Sequence, residues 1–527
     1  MERNTLARTA LEAVGLSLLL STALFLVQWR YGFNWSDEGL LWFLSQRVHA
    51  GQMPIRDLFG YDPARYLWVS AWFRALGGDG LFELRLADAA FGFLGLAVAC
   101  ATMAAAGIRL SIRIAALVLL AVAMGFPQHK VYEQVWSLFA VASLAWALFR
   151  PEAIARWLVL GAATGLAATF GRNLGVYCAL AGLFGLAIAP RLHPARAGVR
   201  RLGAWAAGMV AGYAPMLAWF TMDERFRAAM IRSVLFTPQW QLPLPIPFPW
   251  RTPQGFGSAA AIQATATSWL CVAVIAVYAV SAVGVARALY KPTPEPADGS
   301  PSRLLALEAA SFGVGVAYLY QAFDRADFPH IAQSILPFFL ILAIEWQRTE
   351  RPAARAACAC CAALAMLAWL PSQPRVAASL AAHQAPGSRV RFAIDGRQFV
   401  IDAGQARVLE SSRREFERCH ARDGGAVAMP YYPGILAYLH ASSPYWDLYY
   451  LYPRSPDFQN AEIAALKTAG TRLAIVNVSD AMDGRNDLRI ARTNPLLLDF
   501  IHRNFRLASD PEASANGFGF YEFDCGR

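Results

Sequence analysis

Residues 14–39 read VGLSLLLSTALFLVQWRYGFNWSDEG. Residues 14–27 are almost wholly apolar, follow Arg3 and Arg8, and end in Gln28-Trp29-Arg30. A cleaved secretory leader closes on small residues at a cleavage site, and none stands here. The run therefore reads as a retained first transmembrane helix, its basic end in the cytoplasm. Soon after it comes Asp37-Glu38-Gly39, two carboxylates beside the outer membrane surface. A hydrophobic span that hands over to an acidic pair predicts a membrane protein with polar chemistry at one face.

The rest of the chain extends that pattern. Of 527 residues, 56% are hydrophobic and 16% charged, against about 25% charged in soluble globular proteins. A transmembrane helix needs about 20 apolar residues. Segments of this kind fall near 10–29, 86–107, 113–126, 133–149, 156–171, 174–190, 202–221, 262–286, 304–321, 330–346 and 355–371, about 11 spans in all, the third and tenth being short. The net charge of +10 is the balance of 47 basic and 37 acidic residues. These charges fall between the apolar runs, which argues against a nucleic-acid face. Alternate loops carry the basic residues: Arg109 and Arg113; Arg150 and Arg156; Arg191, Arg196, Arg200 and Arg201; Arg287, Lys291 and Arg303; Arg348, Arg351 and Arg355. That alternation follows the positive-inside rule and puts the C-terminal region outside, in the periplasm of a bacterial inner membrane.

Two external loops are long. The first, 30–85, reads as a helix over 39–49, a break at Gly51-Gln52-Met53-Pro54, and a second helix over 66–76. Trp42, Trp68 and Trp72 suit the membrane interface. The second, 222–257, starts amphipathic and ends in a proline-rich stretch over 242–250 that excludes a helix. The stretch 291–302 reads as a cytoplasmic linker.

Residues 1–372 thus form a transmembrane module, and 373–527 a soluble α/β domain. Strands are expected over 389–394 and 398–401 about an Asp395-Gly396 turn, and over 426–429, 473–478 and 517–523. Helices are expected over 406–420, 461–469 and 497–504. Cys419 and Cys525 could pair if this region is periplasmic.

The candidate chemistry lies in loops of one membrane face. Asp37 and Glu38 are the candidate catalytic acids: a carboxylate there could deprotonate an acceptor. The alternative role for Asp37 is to cap the helix that follows. Candidate substrate-binding residues are Asp57 and Arg65 in the first loop, His129, Lys130 and Glu133 in the next, Arg172, and the Arg325-Ala-Asp327-Phe-Pro-His330 turn. Ionisable groups so near hydrocarbon are costly, and Arg and Lys supply donors for phosphate oxygens. His330, three residues from Asp327, shares a helical face with it. No metal site and no cofactor is assigned, although a divalent cation beside a phosphate is compatible with the carboxylates. No nucleotide-binding or hydrolase motif is present, so a nucleotide-sugar donor is not indicated.

The sequence resembles the GT-C polytopic membrane glycosyltransferases, the bacterial protein mannosyltransferase and aminoarabinose transferase type. The resemblance rests on Asp37-Glu38, the Gly51-to-Asp57 stretch, Arg85 at the entry to the second span, the Arg325–His330 turn, and Met429-Pro-Tyr-Tyr-Pro-Gly434. It implies a GT-C-like fold and transfer of a sugar from a polyprenyl-phosphate donor to a lipid, glycan or protein acceptor. It also implies Asp37 as general base, with Lys130, Arg172 and Arg325 on the donor phosphate. One position departs from the family pattern: related chains often carry an acid beside the position of Asn173, in an Arg-x-Asp-like turn, whereas here the run is Phe170-Gly-Arg-Asn-Leu-Gly175, which would leave Glu133 as a substitute. A transporter or flippase, or a polymerase or ligase, of lipid-linked glycans is the alternative. A transporter would place its ionisable groups near mid-membrane, and the centres of these spans are almost free of charge.

Overall fold

The computed structural model describes residues 2–192, 198–236, 242–290, 300–422, 424–508 and 510–525. In chain order the helices begin with α1 (Glu2–Gln28), α2 (Asp37–His49), α3 (Pro63–Leu76), α4 (Leu81–Ala105), α5 (Leu110–Met124) and α6 (Val131–Phe149). They continue with α7 (Ile154–Phe170), α8 (Arg172–Leu192), α9 (Gly198–Met222), α10 (Glu224–Phe236), α11 (Ala259–Tyr290) and α12 (Ser300–Asp324). Next come α13 (Phe328–Ser334), α14 (Leu336–Arg348), α15 (Pro352–Trp369) and α16 (Pro374–Gln384). The C-terminal region adds β1 (Arg389–Ile394), β2 (Arg397–Asp402), α17 (Ala403–Arg418), β3 (Ala426–Met429), α18 (Pro433–Tyr438) and α19 (Pro456–Ala469). It ends with β4 (Leu473–Asn477), α20 (Ile490–Thr493), α21 (Pro495–Asn504), β5 (Arg506–Leu507) and β6 (Phe518–Glu522).

Each of the eleven expected spans is helical. Among the described residues, seven helices are long and apolar enough to cross a membrane, and α13 with α14 makes an eighth if counted as one bent span. The chain is a multi-pass membrane protein. α5 and α7 are apolar but shorter, at 15 and 17 residues. The expected span 330–346 is broken at Ile335 and bends by 57°. Pro337, in the first turn of α14, has no N–H to continue the ladder from α13.

The chain divides into two compact units, each assembled from separate stretches of sequence. The first is Met1–Trp29, Arg85–Met222 and Leu242–Ala377; the second is Arg30–Leu84, Asp223–Gln241 and Ala378–Arg527. The second unit thus takes most of the first long loop and the start of the second loop together with the C-terminal region.

In the first unit α7 and α9 touch backbone to backbone. A Cβ on Gly161 or Gly165 would stand 2.0 or 2.2 Å from the carbonyl oxygens of Trp205 or Met209, and Gly208 and Gly212 mirror this against Leu158 and Ala162. Both helices therefore carry a Gly-x-x-x-Gly face, which lets membrane helices approach closely. Polar side chains tie other helices: Gln28 of α1 donates to Gln373 at 2.5 Å, and Gln373 in turn to the Val122 carbonyl at 3.0 Å. Leu244 of the proline-rich stretch pairs with Arg325 as an isolated bridge. The linker expected over 291–302 lies largely outside the described residues.

In the second unit, β1 and β2 form a hairpin whose turn residues Asp395 and Gly396 have φ of 49° and 74°, the left-handed pair of a tight hairpin. The remaining strands form a sheet of order β3-β4-β6-β5, with β3 and β4 parallel and the other pairs antiparallel. β3 and β4 are buried at every residue, as their unbroken apolar runs require. Cys419 and Cys525 are joined by a disulfide.

Candidate functional site

The sequence-derived candidates fall into two sets, one in each unit. In the second unit, Asn34 Oδ1 accepts from the backbone N–H of Ser36 and Asp37, each at 3.0 Å, in the turn that leads into α2. Glu38 returns the arrangement, its Oε2 accepting from the Asn34 N–H at 3.2 Å. Ser36 precedes the helix without a side-chain cap bond, and the Asp37 carboxylate bonds elsewhere. Its Oδ1 accepts from the Tyr431 hydroxyl at 2.8 Å. Ser36 Oγ donates to the Tyr431 carbonyl at 2.9 Å, and the Gly434 N–H to the Trp35 carbonyl at 2.8 Å. The acidic pair after the first span and the Tyr-Tyr motif after β3 therefore meet in space.

The ring of Tyr431 stacks on Tyr449 with centroids 4.6 Å apart. Burial lifts both phenols well above their ordinary range, and the charge on Asp37 adds to the effect. Arg65 is buried, with its guanidinium 4.2 Å over the ring of Tyr61. Asp57 is engaged by its neighbour: Arg56 donates to both carboxylate oxygens at 2.8 Å and also to Asp223 at 2.9 Å. The Arg56 guanidinium holds the Asp57 carboxyl below its ordinary value.

In the first unit, His129 and Lys130 occupy a single turn ahead of α6, and Glu133 stands in its first turn; all three are buried. Beside Glu133, Tyr132 donates to Asp88 of α4 at 2.8 Å and stacks on Phe170, two residues before Arg172. Asn173 donates to Gln321 at 3.1 Å, and the Tyr177 hydroxyl reaches the same oxygen at 3.1 Å. The Arg325 turn closes on itself. Arg325 Nε lies 3.0 Å from Asp327 Oδ2, and His330 Nδ1 lies 2.5 Å from Asp327 Oδ1. Asp327 also caps α13 through the His330 N–H. Burial alone would raise the Asp327 carboxyl, but His330 and Arg325 outweigh it and hold it below its ordinary value.

Sequence reasoning placed the Asp327–His330 pair and singled out the Tyr-Tyr motif. It did not find the Tyr431 bond to Asp37, the Asn34 turn ahead of α2, or Tyr449, which carries no local signal. A divalent cation needs several oxygen ligands converging. Among the described residues, the one group of three potential ligands is Cys419, Glu522 and Cys525, whose cysteines are bonded to each other. The carboxylates of the candidate sets do not form such a group, and no step is assigned to a cation.

The helix order and the sheet-bearing C-terminal region are shared with a protein of known structure. The crystal structure of ArnT from Cupriavidus metallidurans bound to undecaprenyl phosphate is similar over 97% of both chains, with a TM-score of 0.52 and 13% identity. The same protein in the apo state aligns over 97% of this chain and 96% of that one, with a TM-score of 0.45 and 12% identity. No protein-family model and no curated protein sequence matches the chain.

Proposed function

We propose that this protein transfers a sugar from a polyprenyl-phosphate-linked donor to a lipid, glycan or protein acceptor at the periplasmic face of the inner membrane. The observation that carries the reading is the likeness of fold, over nearly the whole of both chains, to a protein crystallised with undecaprenyl phosphate. Asp37 is the general base, with Glu38 second to it. It takes the proton of the acceptor hydroxyl or amine as the new bond forms at the anomeric carbon. The bond from that carbon to the phosphate oxygen breaks with inversion, and the electron pair leaves on the polyprenyl phosphate. Lys130, Arg172 and Arg325 are the donors suited to the phosphate charge. Glu133 stands as the alternative acid, since the turn at Arg172-Asn173-Leu174 lacks the carboxylate that related chains carry beside this position. Asp57, Arg65, His129, Asp327 and His330 complete the assignment as substrate-binding residues.

The test is turnover of a panel of purified polyprenyl-phosphate sugars by wild type and by Asp37→Asn. Transfer or donor hydrolysis that the variant loses while still folded supports the reading. Activity that survives in the variant moves the base elsewhere, with Glu133 next.

A further inference from the structure

We propose that Tyr431 is the positioning residue for Asp37, its hydroxyl fixing where the carboxylate points and how readily it ionises. The inference rests on the reading of Asp37 as base and adds a group that the acidic motif alone does not contain.

The geometry is over-determined. The hydroxyl bond to Oδ1 spans 394 positions of sequence at 2.8 Å. The backbone behind it is held at the same point by the Ser36 bond to the Tyr431 carbonyl and the Gly434 bond to the Trp35 carbonyl. Gly39 and Gly434 bring α2 and α18 together so closely that a Cβ on Gly39 would stand 2.4 Å from the Gly434 Cα. The phenol therefore has little freedom relative to Asp37. Its ring is 6% exposed and backed by Tyr449. Burial and the neighbouring carboxylate keep it protonated, so it serves as a donor at every working pH. A donor to the charged form of a carboxylate favours ionisation. Among the described residues, the phenols of Tyr449 and Tyr61 also act on this point, with Arg65 over the Tyr61 ring and Glu38 next to Asp37 on α2.

The sign follows directly. A base must be ionised to act, so its titration sets the acid limb of the rate profile. Tyr431→Phe keeps the ring and its stack but removes the donor. The acid limb of kcat/KM should then move up by about one pH unit, the shift expected for one lost hydrogen bond to a charged group. Tyr432→Phe is the control: Tyr432 is equally buried and donates to Asp480 at 2.8 Å, not to Asp37. An infrared pH titration of the full-length protein in detergent, with the Asp37 band assigned by its loss in Asp37→Asn, reads the same midpoint without substrate.

The expected result is an Asp37 midpoint raised in Tyr431→Phe and unmoved in Tyr432→Phe. A midpoint unmoved in Tyr431→Phe, or moved equally in both, overturns the proposal. Where Tyr431→Phe does not fold, 3-fluorotyrosine at position 431 keeps the hydroxyl and strengthens it as a donor. The midpoint should then fall, and an unchanged midpoint refutes the role. Turnover retained in Asp37→Asn sinks the base assignment itself. Turnover lost there, with an unmoved Tyr431→Phe titration, sinks the role of Tyr431 alone.

Discussion

Replacing Gly39 by alanine tests the contact that brings the two acid-site segments together. A Cβ at Gly39 would lie 2.4 Å from both the Cα and the N of Gly434. Ordinary carbon contacts stand about 3.5 Å apart, so the two backbones must open by about 1 Å. No flexible side chain can swing aside to absorb this. Gly434 is itself hemmed in, since a Cβ there would meet the Phe33 ring and the Trp35 carbonyl, each at 2.7 Å. Overpacking of this kind costs about 1–3 kcal/mol. The gain from replacing glycine by alanine inside a helix offsets at most about 1 kcal/mol of it, which leaves a modest net loss of stability. The larger effect is local. Opening by about 1 Å stretches the Tyr431 bond to Asp37 from 2.8 Å past the range of a hydrogen bond. A misplacement of that size costs on the order of 100-fold in rate. The assay is kcat together with the unfolding temperature, with Gly203→Ala alongside: a Cβ at Gly203, inside α9, meets nothing within 4 Å. Gly203→Ala should match or slightly exceed wild type in stability. Wild-type kcat and stability in Gly39→Ala would refute the reasoning.

Two further substitutions probe the C-terminal region. Replacing both Cys419 and Cys525 by serine opens a loop of 106 residues, for which the chain-entropy model gives a loss of about 4–5 kcal/mol. The double variant should unfold at a clearly lower temperature, and reduced wild type should behave like it; an unchanged midpoint would mean that the bridge contributes nothing. Glu462 is pushed up to about 8, chiefly by burial, although the Tyr450 hydroxyl donates to it at 3.0 Å. The folded form therefore holds a proton that the unfolded chain has released, and stability should fall as pH rises from the ordinary carboxylate range toward 8. Glu462→Gln, which keeps an oxygen for Tyr450, should flatten that slope in a series of unfolding temperatures, and parallel slopes in the two proteins would contradict it.

Much of the fold is written in local pattern. The apolar runs and the Asp395-Gly396 turn each act over a few residues, and each predicted its element within a few positions. The break at Ile335 needed the geometry of α13 and α14, because one proline after a helical turn reads as either a kink or a continuation. The α7–α9 contact was legible in principle. Gly161 and Gly165, and Gly208 and Gly212, are spaced for a close helix pair, but each reads alone as part of an ordinary apolar span.

The composition of the two units was the least legible feature, and for the same reason as the site. Periodicity describes faces within a segment; it does not say that 30–84 belongs with 378–527. Asp37 read as a helix cap or a base; in the fold it is the first residue of α2 and its Oδ1 accepts from Tyr431. Asn34, three residues upstream, accepts from the Asp37 N–H instead. Tyr431 arrives from 394 positions away, and a tyrosine after a buried strand carries no chemistry of its own. Yet both motifs hold a glycine beside the residue that matters: Gly39 after Asp37-Glu38, and Gly434 after Tyr431-Tyr432-Pro433. Each is a position where a Cβ would strike the other segment. A glycine inside a predicted helix start costs stability unless something must come close, so two such glycines flanking the two motifs are the sequence's own trace of the contact that joins Asp37 to Tyr431.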